Sequence, residues 1–220
     1  MDLAIIKYNA GNIQSVLYAL ERIGRQATVT DDPALIRAAD KVIFPGVGEA
    51  STAMDYLKER GLDRLIRELR QPVLGICLGL QLMCSYSEEN DTECLGIFGE
   101  KVKKFDPEAA AGGANGGSSG TRNRLKGDSG AGGVFKVPQI GWNNIYDLRT
   151  PLFEGITDGS YCYFVHGYYA ALGEHTIART DYVQPYSSAL HKGNFYGVQF
   201  HPEKSAQVGE RILNNFISNI

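Results

Sequence analysis

The chain has 220 residues, 22 Lys+Arg against 25 Asp+Glu, a net charge of −3 and 43% hydrophobic residues. That length allows one large domain able to fold unaided, or two small ones, and the balanced charge argues against the basic patch of a nucleic-acid or membrane-surface protein. No apolar run approaches the ~20 residues that cross a bilayer.

The chain opens on MDLAIIKYNAGN, which lacks the basic n-region, long apolar core and small-residue cleavage site of a signal peptide. A cytoplasmic location, with reduced thiols, is therefore expected. Leu3-Ala-Ile-Ile6 is a short apolar run of the kind a strand covered on both faces requires. After a turn at Asn9-Ala-Gly-Asn12, Ile13, Val16, Leu17, Leu20 and Ile23 recur at helical spacing, with Gly24 as the stop. Residues 26–30 are rich in β-formers, and Asp32-Pro33 supplies an N-cap and a first-turn proline for a short helix. Residues 41–44 read as a buried strand ended by Pro45-Gly-Val-Gly48, and 49–70 as one or two helices broken at Gly61. A strand at 72–76 runs straight into a helix from about Leu78. This βαβα order predicts an α/β fold, its mainly parallel central sheet flanked by helices on both faces.

The second half adds extended segments at 99–105, 134–146, 161–165, 176–180, 188–191 and 195–200. It closes on a helix over 207–220 with Val208, Ile212, Phe216 and Ile220 as its stripe. Lys101-Val-Lys-Lys104 is expected at a solvated strand edge. Between the halves, a run at about 107–133 rich in Ala, Gly, Ser and Asn has too little apolar surface to order itself. It is expected as a flexible insertion in a single domain spanning 1–220.

Leu74-Gly-Ile-Cys-Leu-Gly-Leu-Gln81 is the most informative stretch. A strand runs into Cys77 and a helix leaves it, with Gly75 and Gly79 on either side. Small neighbours of this kind let a strained turn lift a nucleophile above a sheet. The carboxyl ends of the strands are where open α/β sheets place ligands, and a helix N-terminus favours a thiolate. The alternative is a small core cysteine. A thiol nucleophile needs a base and the base an orienter. In Gly197-Val-Gln-Phe-His-Pro-Glu-Lys-Ser205 the i, i+2 spacing projects His201 and Glu203 to one side, unless they are merely neighbours at a strand end. Pro45-Gly-Val-Gly48 can turn backbone N–H groups toward a ligand or be a plain turn. The N–H of Leu78 is the natural second oxyanion donor. Cys84, Cys94 and Cys162 read as packing residues; no C-x-x-C pair or Cys/His cluster suggests a disulfide framework or zinc site, and neither metal nor cofactor is expected.

GICLGLQ with a later GVQFHPEKS resembles the class I (triad) glutamine amidotransferases; PGVG, VPQIGWN and YFVHGYY narrow the resemblance to the HisH family, the glutaminase subunits of imidazole glycerol phosphate synthase. The resemblance covers nearly the whole chain except the glycine-rich insertion. It implies hydrolysis of glutamine through a thioester and delivery of ammonia to a partner (β/α)8-barrel cyclase. The cyclase then makes imidazole glycerol phosphate and an aminoimidazole carboxamide ribotide. It further implies Cys77 as nucleophile, His201 as base and later acid, and Glu203 as orienter, with Val47 and Leu78 as backbone oxyanion donors. Gly46, Gly48, Gln81, Glu89, Gly167 and Tyr168 would bind substrate, with the choice between Glu88 and Glu89 open. Gln139, Trp142, Asn143 and Lys204 would face the cyclase.

Three positions depart from the family pattern, which has histidine at Gln139, phenylalanine at Ala50 and serine at Gly167; none touches the triad. His166 reads as structural beside an aromatic strand, and His175 and His191 as solvent-facing. Two other functions fit the same motifs: a glutaminase serving a pyridoxal phosphate or anthranilate synthase, and a stand-alone cysteine hydrolase of γ-glutamyl bonds.

Overall fold

The computed structural model describes residues 1–8, 12–108 and 135–220. The expected flexible insertion therefore lies, apart from its first residues, outside the described residues, as does most of the Asn9–Asn12 turn. In chain order the elements are β1 (Leu3–Ile6), α1 (Ile13–Arg22), β2 (Thr28–Thr30), α2 (Pro33–Ala38), β3 (Lys41–Phe44), α3 (Ala50–Glu59), α4 (Leu62–Glu68), β4 (Val73–Ile76) and α5 (Leu78–Met83). There follow β5 (Tyr86–Ser87), β6 (Thr92–Glu93), β7 (Lys101–Lys104), β8 (Gln139–Asn144), β9 (Tyr161–His166), β10 (Tyr168–Ala170), β11 (Thr176–Asp181), β12 (Pro185–Lys192), β13 (Phe195–Val198) and α6 (Ala206–Asn219).

One sheet runs in the order β2-β1-β3-β4-β13-β12-β10-β7-β5-β6, with β11 also paired to β12. Strands β2, β1, β3, β4 and β13 are mutually parallel. The sheet turns antiparallel at β13–β12. Strands β8 and β9 form a separate antiparallel ribbon.

Strand residues alternate between two cores because side chains on a strand point to opposite faces. Along β1, Ala4 and Ile6 pack with Ile36 of α2, Met54 and Leu57 of α3 and Leu65 of α4. Leu3 and Ile5 pack with Val16 and Leu20 of α1 and with Ile212 and Phe216 of α6. Helices thus cover both faces, as the unbroken apolar strands required. Asp32 caps α2 by accepting the Ala34 N–H at 2.8 Å, with Pro33 at the first position. Gly61, at φ +66°, separates α3 from α4.

Two sequence expectations are corrected. Lys101–Lys104 is not an edge: β7 lies between β10 and β5, and its lysines are exposed off the sheet's faces while Val102 is buried. His175 is not solvent-facing either: its side chain is 15% exposed and its Nδ1 lies 3.0 Å from the buried Glu100 carboxylate. His191 is half-buried, its ring stacked on Tyr196.

Candidate active site

Strands β4 and β13 pair in parallel with Gly75 opposite Gly197 and Ile76 opposite Val198. Both chains leave the sheet at the same end, so residues 77 and 201 emerge side by side although 124 positions apart. The Cys77 N–H donates to Val198 O at 2.8 Å, extending the pairing to the turn itself.

Cys77 has φ +52° and ψ −106°, a conformation that an L-residue holds only at a cost of ~1–3 kcal/mol. The turn is tight because its neighbours have no side chains. A Cβ on Gly79 would stand 1.9 Å from the Phe44 carbonyl oxygen, and one on Gly75 2.3 Å from Met83 Cε. Helix α5 therefore lies directly on β3 and β4, and Cys77 is held at the rim.

His201 and Cys77 line the same cleft, close enough for the sulfur to act on the imidazole, and His201 Nδ1 lies 2.7 Å from Glu203 Oε1. His201 and Glu203 are both buried, on the loop and the single 3-10 turn (Pro202–Lys204) after β13. Asn12 Nδ2 donates to the same Glu203 oxygen at 3.2 Å. Ser205 Oγ donates to His201 O at 2.6 Å and accepts the Tyr163 N–H at 3.0 Å, pinning this loop to β9. Burial works against charge on His201, but the Cys77 sulfur and the Glu203 carboxylate outweigh it and lift the imidazole to about 10.

Cys77 and His201 face a cleft of about 220 Å³, smaller than the ~300–1,000 Å³ of drug-sized sites and suited to a single amino acid. Val47, Gly48, Leu78, Gln81, Glu89, Gly167, Tyr168 and Lys204 also line it. Glu89 and Glu88 are sorted by their contacts. Glu89 is half-buried and accepts the Ala50 N–H at 2.8 Å, whereas Glu88 turns away to accept the Lys104 N–H. Burial lifts the Glu89 carboxyl above its usual range, partly offset by the Ala50 hydrogen bond. Gln81 Nε2 donates to Tyr168 O at 2.9 Å.

The oxyanion donors expected from sequence are near the nucleophile, but one is occupied. The Leu78 N–H donates to Gly46 O at 3.2 Å, so in this conformation the Gly46–Val47 peptide turns its oxygen toward that donor. Tyr8, fully buried, donates to Pro45 O at 2.6 Å and anchors the start of this segment.

His166 also reaches the cleft, where burial lowers its imidazole to about 4. It is neutral, with Nδ1 2.7 Å from Tyr168 O and Nε2 3.3 Å from the Tyr186 hydroxyl. Cys84, Cys94 and Cys162 are buried and unpaired. Burial pushes the Cys94 and Cys162 thiols up to about 12.

The expected partner face is only partly on the surface. Trp142 is 52% exposed and Lys204 is exposed, but Gln139 and Asn143 are buried. Gln139 Oε1 accepts the Tyr186 hydroxyl, and Asn143 Nδ2 donates to Asp181 O at 3.0 Å. Strand alternation decides this: on β8 the outward residues are Ile140, 65% exposed, and Trp142. Two residues missed in the sequence belong to this description. Ile140 was legible from the same alternation as Trp142. Gln199, wholly buried with Nε2 3.7 Å from Cys77 Sγ, gave no signal beyond its place in GVQFHPE.

The family profile "Glutamine amidotransferase class-I" matches residues 4–220. The chain is 54% identical over 217 residues to "Imidazole glycerol phosphate synthase subunit HisH" of Bacteroides fragilis strain YCH46, covering 99% of each chain. It is 41% identical to the protein of the same name from Shewanella loihica, covering 98% of this chain and 90% of that one. In fold it is similar to a glutamine amidotransferase of known crystal structure, with a TM-score of 0.68 at 17% identity over 99% of this chain and 97% of the other. The parallel sheet with its cysteine elbow thus stands in a known lineage, and the chain belongs to the class-I glutamine amidotransferases and, within them, to the HisH family.

Proposed function

We propose that this chain is a glutaminase subunit: it hydrolyses glutamine to glutamate and ammonia and hands the ammonia to a barrel cyclase. That partner makes imidazole glycerol phosphate and AICAR in histidine biosynthesis. The observation that carries the reading is Cys77 and His201 together on a cleft sized for one amino acid, with Glu203 hydrogen-bonded behind the imidazole. We read residues 1–220 as a single cytoplasmic domain that acts as one half of a heterodimer. Among the described residues no helix is long and apolar enough to cross a membrane.

In this mechanism the imidazole holds the proton and Cys77 attacks as a thiolate. Its sulfur bonds to the γ-carboxamide carbon of glutamine, and the carbonyl electrons move to oxygen. His201 then protonates the nitrogen, the C–N bond breaks, and ammonia leaves a γ-glutamyl thioester. A water that gives its proton to His201 adds to the thioester carbon. The C–S bond breaks, releasing glutamate and restoring the thiolate–imidazolium pair. Glu203 keeps the ring oriented and stabilises its charge. Glu89 would bind the substrate ammonium and Gln81 would accept from it through Oε1. Gly48, Gly167 and Tyr168 would close the remaining sides through their backbones.

The oxyanion needs both the Leu78 and Val47 N–H groups, and the Gly46 carbonyl now takes the first. Rotating the Gly46–Val47 peptide would exchange a carbonyl for an N–H at that point, so the chain alone is expected to turn over slowly. The exposed Ile140 and Trp142 supply an apolar patch for the cyclase, with Lys204 beside the cleft. Comparing glutamine turnover by the chain alone, with the cyclase, and with cyclase plus its nucleotide ligand tests this control. A strong rise with the loaded cyclase is expected, and equal rates would discard it. An absence of glutamate production under every condition would discard the glutaminase reading itself.

A further inference from the structure

A carboxamide's two ends differ only in what they donate and accept, so its orientation follows from its partners. The backbone oxygen of Tyr168 only accepts, so the Gln81 atom 2.9 Å from it is Nε2. The second N–H of that nitrogen points at Gln199, 3.0 Å away, which makes the facing atom the acceptor Oε1. The other end of Gln199, a donor, is thereby turned to the Cys77 sulfur at 3.7 Å. Gln199 is wholly buried and its backbone N–H is fixed to Ser188 O at 2.9 Å, so the side chain has no solvent alternative. Burying an amide here is costly unless its hydrogen bonds are made, and a methionine would fill the same space without that cost.

We propose that Gln199 is a further catalytic residue, whose side-chain N–H donates to the Cys77 sulfur and stabilises it as the attacking thiolate. The inference rests on the glutaminase reading in taking Cys77 as the nucleophile. Among the described residues, the titratable groups that act on the sulfur are His201, behind which stands Glu203, and the buried Tyr8. Of these His201 gives its proton away in each turnover, whereas the Gln199 donor remains through both halves of the reaction. Gln81 acts on Gln199 by holding Oε1, so the residue that meets the substrate also fixes the donor on the nucleophile.

The test is the rate of Cys77 alkylation by iodoacetamide as a function of pH, read by mass spectrometry, in the native chain, Gln199→Met and Gln199→Glu, with Cys77→Ser as blank. Methionine keeps the volume and removes the donor; glutamate keeps the shape and places an acceptor against the sulfur. The expected result is a midpoint raised by about one pH unit in Gln199→Met, the size of one hydrogen bond to a charged group, and raised further in Gln199→Glu. In the cyclase complex kcat falls about tenfold in Gln199→Met, with a smaller change in KM. Profiles of both variants that superimpose on the native one would overturn the proposal, as would an unchanged kcat. Should Gln199→Met fail to fold by its thermal transition, the isosteric Gln199→Glu decides alone. Iodoacetamide needs only a thiolate, so this outcome is independent of the glutaminase reading. That reading fails separately if a glutamine-mimicking diazo-ketone leaves native Cys77 unmodified.

Discussion

His201 sits where two opposed effects meet, and the charged neighbours win: burial would keep it neutral, yet its contacts with Cys77 and Glu203 raise it from 6.5 to about 10. The active pair should therefore persist well into the alkaline range. In Glu203→Gln the imidazolium loses its carboxylate, so the alkaline limb of the kcat profile should move down toward the ordinary histidine range. We expect kcat to fall by roughly 10²–10⁴-fold, as for loss of an acid–base group or its orienter. Steady-state assays across pH measure both. The same shift has a stability counterpart: with a folded value above the unfolded 6.5, the histidine's contribution is full below about 6.5 and is lost as pH rises toward about 10. Glu89 titrates in the other sense. Burial raises its carboxyl, so KM for glutamine should rise on acidification from a pH above the usual carboxylate range. Glu89→Gln should raise KM about tenfold or more while kcat changes little, the signature of a lost ground-state contact.

At the scale of elements, the elbow depends on contacts that no rotamer can relieve. In Gly79→Ala the new Cβ would press on a backbone oxygen of β3, so α5 must lift off the sheet. The expected cost is ~1–3 kcal/mol, read as a thermal midpoint lowered by several degrees together with slower labelling of Cys77. Gly99→Ala, where the added carbon meets nothing within 4 Å, should leave the midpoint unchanged and serves as the control. The elbow was legible because glycine on both sides of a cysteine between a strand and a helix leaves few other interpretations. Strands β1, β3 and β4 were equally plain, being apolar at every position except Lys41 at the start of β3. The short pairs β5 and β6 were not, since two residues carry no periodicity, and β10 was hidden in YFVHGYY, where the chain turns at Gly167 between two strands. The burial of Gln139 and Asn143 was invisible for a different reason: their partners, Tyr186 and the Asp181 carbonyl, lie about forty or more positions away. The Gly46 carbonyl on Leu78 was beyond sequence altogether, because a peptide's orientation leaves no trace in residue type.

Across the whole molecule, the β8–β9 ribbon stands apart from the main sheet and carries Ile140, Trp142 and Tyr161, all more than half exposed. Large side chains of this kind make strong anchors when a partner covers them. Replacing Trp142 by Ala should weaken co-elution with the cyclase, raising Kd at least tenfold by titration calorimetry. The ion pairs at the surface, such as Arg22–Glu210, are worth little in comparison.

The position of β13 has a consequence for how this protein comes into being. Its residues, 195–198, are made after every other described strand of the sheet, yet they lie inside it between β4 and β12. Until they arrive β4 and β12 have no strand to join them, and contacts so distant in sequence close slowly. A growing polypeptide of this design has no base beside its cysteine until β13 is made, because the strand that delivers the histidine is also the one that makes the sheet whole.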